Sequence, residues 1–192
     1  DGQFAFGLSK AVAFHLKSGD FLNEEEIEAL KEVDAVEEVY QKALKLLNFR
    51  PRTEQEMRSR LATYGFSEQT IESVINILLE KDYLNDQKFA SDWIENRTAF
   101  RPRGRRLLRV ELIKKHVAEE KIQSALEALP TEEELIREAA KKITPRLKGL
   151  DKFSFQKKLY SYLLRRGFSY EDIKPVFEEM WEENTRLNSI EN

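Results

Sequence analysis

The densest chemistry in this chain is cationic. The segment RTAFRPRGRRLLRVELIKK, from Arg97 to Lys115, carries six arginines and two lysines against one glutamate. Guanidinium groups are planar forks that grip a carboxylate or phosphate through two parallel hydrogen bonds. The chain as a whole has a formal net charge of −3. It therefore reads as a directed positive face rather than a general sink for polyanions. The candidate binding residues are Arg97, Arg101, Arg103, Arg105, Arg106, Arg109, Lys114 and Lys115.

Spacing sharpens this reading. Arg105 and Arg109 stand at i, i+4 and Arg106 and Arg109 at i, i+3, which predicts that all three share one outer face of a helix. Leu108 and Leu112 would face inward. Arg101 and Arg103 flank Pro102 beside the N-terminus of that helix, where cations oppose the macrodipole. Such a cost points to an anionic partner. Arg50, Arg52, Arg58 and Arg60 form a thinner set in which glutamates intervene, so mutual pairing is the preferred reading there. Lys157, Lys158, Arg165 and Arg166 form a third set, balanced between pairing and binding. Phe89 and Trp93 are four apart, which is core spacing, and Phe66 and Phe168 read as packing residues; Tyr160 and Tyr162 fit either role.

Other chemistries find nothing to start from. With no cysteine, disulfides, thiolate catalysis and cysteine zinc sites are excluded. The two histidines, His15 and His116, lie outside any metal-ligand spacing. There is no glycine-rich phosphate loop and no nucleophile elbow. The expectation is a protein with no catalytic residue, no cofactor and no metal. No apolar run approaches the roughly 20 residues that span a bilayer, and the first residues lack the order of a signal peptide. Because the sequence opens at Asp1 rather than Met, a preceding piece is expected.

The elements that must position the arginines repeat. FRPR occurs at Phe49 to Arg52 and again, 51 positions later, at Phe100 to Arg103. At twice that offset Leu61, Gly65, Phe66, Ser67, Ile71 and Val74 meet Leu163, Gly167, Phe168, Ser169, Ile173 and Val176. Charged residues at 35% and only seven glycines suit a helix-rich chain with much surface per residue. The fold class is all-α: three tandem three-helix repeats stacked into an elongated, curved array. The boundaries are an N-terminal extension over 1–33 and repeats over 34–85, 86–130 and 131–192, the last with an acidic tail.

Within the first repeat, Asp34 is the expected N-cap of a helix ending near Phe49, because Pro51 disfavours helical geometry at Arg50. A separate short acidic helix is expected from about Asn23 to Leu30. Thr53 caps the second helix, with Met57, Leu61 and Tyr64 inward and Gly65 as its left-handed stop. Ser67 caps the third, carrying Ile71, Val74, Ile75, Leu78 and Leu79. In the third repeat Thr131 and Glu134 form a capping box for a helix to about Lys148. Pro175 should bend the last helix, expected from Ser169 to Glu183, or delay its start.

YLNDQKFASDWIENR followed by RPRGRRLLRVELIKK, with the turns YGFSEQTI and RGFSYEDI, resembles the RecX family of bacterial recombinase regulators over about residues 34–185. His116 stands where such sequences more often have glycine, and residues 1–33 match only through LKSGDFLNEEEIEAL. The resemblance implies a non-enzymatic, monomeric, cytoplasmic protein of DNA repair and the SOS response that binds RecA recombinase filaments. It would dock in the filament groove, restrain ATPase and strand exchange, and limit filament growth. The basic residues would then meet acidic RecA surface or exposed DNA phosphates. The competing readings are direct binding of single- or double-stranded DNA and a helical adaptor for another protein.

Overall fold

A computed structural model describes residues 4–190, with side chains through Arg186. Among these residues all regular structure is helical. Helices α2 (Glu24–Phe49), α3 (Glu54–Ala62) and α4 (Glu68–Glu80) form the first three-helix domain, preceded by the short α1 (Lys10–Ala13). The second comprises α5 (Asp86–Phe100), α6 (Arg105–Ile113) and α7 (Glu119–Glu127). The third comprises α8 (Glu132–Ile143), a 3-10 turn over Thr144–Leu147, α9 (Lys152–Leu164) and α10 (Tyr170–Ile190). The chain divides into two compact units, Asp1–Asn85 and Asp86–Asn192. The second and third domains thus share one unit.

The first unit closes over Val39, Ala43, Met57, Leu61, Ile71, Val74, Ile75, Leu78 and Leu84. Full burial of each large aliphatic among them contributes roughly 1.5–3 kcal/mol relative to exposure. Tyr64 and Leu79 do not join this core. They are 39% and 36% exposed, and the Tyr64 ring instead receives the cations of Lys42 and Arg60.

Asp34 is not an N-cap. Helix α2 begins at Glu24, where Asn23 and Glu26 exchange side-chain and backbone hydrogen bonds in a capping box. Three glutamates in the first turn add favourable dipole charge. No glycine or proline lies between Leu30 and Ala35, so the two expected helices run as one. The Asp34 carboxylate accepts the backbone N–H of Ser9 at 2.6 Å instead.

Further along, the expected caps are in place. Thr53, Ser67 and Thr131 side chains accept the N–H groups of Glu56, Thr70 and Glu134. Arg50 is extended, with φ −162° and ψ 155°, as a residue before proline should be. Helix α8 stops at Ile143 rather than near Lys148, because Pro145 cannot donate to the helical ladder. Pro175 does not delay α10, which starts at Tyr170, holds the proline in its interior and continues past Glu183.

The second and third domains have their own cores, and Leu129 packs against both. Phe168 and Phe155 are fully buried in the third. Phe89 stacks on Trp93 in the second, with ring centroids 5.8 Å apart. The loop before α6 and the turn after α9 meet through backbone. The Gly104 N–H donates to the Arg166 carbonyl at 2.9 Å, and Gly167, at φ +87°, lies against Leu107.

Candidate partner-binding surface

Helix α6 has no side-chain cap, since its N-cap is Gly104. The carboxylate of Glu132, from the first turn of α8, takes that place and accepts the Arg105 N–H at 3.4 Å. The same carboxylate pairs with the Arg105 guanidinium, which also donates to the Leu129 carbonyl at 2.9 Å. An acid brought in from the next domain therefore offsets much of the dipole penalty expected of cations here. Burial raises the Glu132 carboxyl above its ordinary range, with the Arg105 contacts acting against it. Arg105 is a seam residue, turned away from the outer face that its spacing suggested.

Glu111, the one acid of the basic block, gathers three partners. It contacts Arg97 at 3.4 Å, Arg103, and the indole N–H of Trp93 at 3.0 Å. Arg97 also lies 4.2 Å from the Trp93 ring centre, and Lys115 5.3 Å from it. These side chains bridge α5 and α6 through Trp93 and Glu111. Burial, and then the like charges of Arg97, Arg166 and Arg101, pull the Arg103 guanidinium below its ordinary value even though Glu111 contacts it.

What remains outward on α6 is a stripe. Arg106, Arg109, Val110, Ile113 and Lys114 follow helical spacing, and all five are exposed. Arg109 pairs with Glu119 at 2.7 Å, both side chains about half exposed; such a surface pair is weak and can be exchanged. Arg106 and Lys114 have no carboxylate partner among the described residues. Val110 and Ile113, 40% and 44% exposed, went unnoticed in the sequence because only the charges stood out. Their i, i+3 spacing between the cations was the available signal.

The weaker sequence candidates divide. Arg58 is held by Glu54 and Glu72, Arg50 by Glu56, and Arg52 donates to the Leu46 carbonyl. Arg60 lies over Tyr64. Lys157 and Lys158 project from α9 with no carboxylate partner among the described residues. Arg165 and Arg166, at the end of α9, come together with Arg101 and Arg103 around a cavity that Leu107 and Tyr162 complete. No pattern within the sequence places the two loops side by side. Among the described residues no cluster of histidine, aspartate and glutamate is arranged to hold a metal. Among them, too, no helix is long and apolar enough to cross a membrane.

Comparison with known proteins follows the domain plan. The family described as RecX, first three-helix domain, matches residues 40–78; the second domain matches 85–126 and the third 131–177. "Regulatory protein RecX" of Clostridium perfringens is 35% identical over 153 residues, covering 76% of this chain and 71% of that protein. The protein of the same name from Prosthecochloris aestuarii is 35% identical over 139 residues, covering 72% of this chain and 91% of its own length. A crystal structure of a regulatory protein RecX matches with a TM-score of 0.75 at 24% identity, covering 93% of this chain and 92% of that one.

Proposed function

Since this chain belongs to the RecX family of regulatory proteins, we propose that it is a non-enzymatic regulator of the RecA recombinase in the bacterial cytoplasm. It binds RecA–DNA filaments in the filament groove and lowers ATPase, strand exchange and filament growth. The observation that carries this reading is the outer stripe of α6. Arg106, Arg109 and Lys114 interleave with exposed Val110 and Ile113, a composition suited to an acidic protein surface with apolar patches. The apolar members supply desolvation, and the cations supply steering and register.

The test is the DNA-dependent ATPase of RecA with increasing amounts of this protein and of its Arg106→Glu/Lys114→Glu variant. The wild type is expected to lower the rate, and the variant to need at least about tenfold more protein for the same effect, a loss of about 1.4 kcal/mol. Unchanged ATPase and unchanged filament length with the wild type would sink the reading.

A further inference from the structure

Away from the α6 stripe, the seam between the second and third domains holds four guanidiniums around one hollow. Arg101 and Arg103 come from the loop before α6, and Arg165 and Arg166 from the end of α9. With Leu107 and Tyr162 they line a cavity of about 380 Å³. Pro102, between the first pair, is buried, so that loop is anchored. The second pair is fixed by the Gly104 to Arg166 backbone bond at 2.9 Å.

The charge in this hollow is poorly countered. Arg103 contacts Glu111. The other three have no carboxylate partner among the described residues. Arg165 donates to the Ser161 hydroxyl at 2.5 Å. Arg166 reaches the Pro102 carbonyl at 3.5 Å and lies 4.1 Å from the Tyr162 ring centre. Its Nε is buried with no hydrogen-bond partner, and a buried N–H of a cation without an acceptor is costly. Arg101 is exposed, with no side-chain partner among the described residues.

From this arrangement we propose that the cavity is a phosphate-binding site. Guanidinium forks match phosphate oxygens, and several can share one phosphate group or two adjacent ones. A single carboxylate would leave most of the positive charge uncompensated, whereas a di-anionic phosphate or two successive phosphates would meet it. The phosphate belongs either to the backbone of a nucleic-acid strand or to a small free phosphate compound. The proposal does not depend on RecA regulation, and its test contains no RecA.

The experiment measures binding of a fluorescent oligothymidylate and of inorganic diphosphate to the full chain across a salt series. It compares the wild type, Arg101→Ala/Arg165→Ala, and, as a charge-matched control at two exposed lysines of the first unit, Lys17→Ala/Lys45→Ala, each checked for folding by circular dichroism. The cavity variant is expected to bind at least about tenfold more weakly, and the control to stay near wild type. If the strand is the source, the oligothymidylate salt slope falls by about 0.7 for each phosphate that is no longer neutralised, and diphosphate competes. If only diphosphate binds, and the cavity variant loses it, the source is a small phosphate compound. Two results overturn the proposal: neither ligand binds, or the cavity variant binds both as the wild type does.

Discussion

The backbone N–H of Gly104 donates to the carbonyl of Arg166 at 2.9 Å, joining the loop before α6 to the turn after α9. A Cβ on Gly104 would lie 2.6 Å from the Glu132 carboxylate and 2.9 Å from the Gly167 carbonyl. One on Gly167 would lie 2.4 Å from the Leu107 Cβ. Two glycines therefore let two main chains approach closely, and the arginines on either side converge as a result.

Gly104→Ala and Gly167→Ala are each expected to destabilise the second unit. Gly167 is the worse case, since its φ of +87° adds the left-handed penalty of roughly 1–2 kcal/mol to the clash. Both tryptophans, Trp93 and Trp181, lie in this unit. Urea unfolding followed by tryptophan fluorescence reports on it directly. A loss below about 1 kcal/mol for Gly167→Ala would show that the turn can open without cost to the seam.

His116 occupies the repeat position held elsewhere by Gly65 and Gly167, and all three adopt positive φ: 59°, 83° and 87°. Replacing His116 with glycine removes a strained left-handed side-chain residue and is expected to stabilise the second unit by about 0.5–1 kcal/mol. The same fluorescence experiment checks it, through a higher urea midpoint at unchanged slope.

Arg105 and Arg106 are adjacent and should separate in their effects. Arg105→Ala removes the bonds to Leu129 and Glu132 and strands a half-buried carboxylate, at an expected cost of about 1–2 kcal/mol. Arg106→Ala should leave stability within about 0.5 kcal/mol while weakening the effect on RecA ATPase. Equal stability losses from the two would contradict the assignment.

In the first unit, hydrogen bonds from Arg58 hold the Glu72 carboxyl below its ordinary value of 4.5. A carboxyl depressed by folding contributes stability that is complete above about pH 4.5 and is lost as pH falls through the lowered value. Glu72→Gln should therefore flatten the acid limb of stability against pH, with little effect of the substitution on its slope near pH 7. Thermal unfolding followed by circular dichroism from pH 2 to pH 7 measures it. An acid limb as steep as the wild type's would refute the role of this pair.

Local signals carried much of the fold. The 51-residue echo, the caps Thr53, Ser67 and Thr131, and the stop at Gly65 are each decided by a few neighbouring residues. Asp34 misled because its cap-type bond goes to Ser9, outside any local window. For the binding surface, the sequence located the cations but not their partners. Glu132 reaches Arg105, and Glu119 reaches Arg109, only after the helices fold against one another. The cavity depends on residues from two domains, so Arg101 and Arg165 could be noticed separately but not as neighbours.

Leu129 packs into the cores on both sides of the seam. A chain cut after Pro130 would keep every residue of the second repeat and still leave Leu129 half solvated, with Arg105 missing its carboxylate. The second repeat, which matches a family domain of its own over 85–126, is therefore expected to lose stability when it is cut from the third. The arginine hollow draws its lining from both domains, so the smallest piece that keeps it whole is the pair.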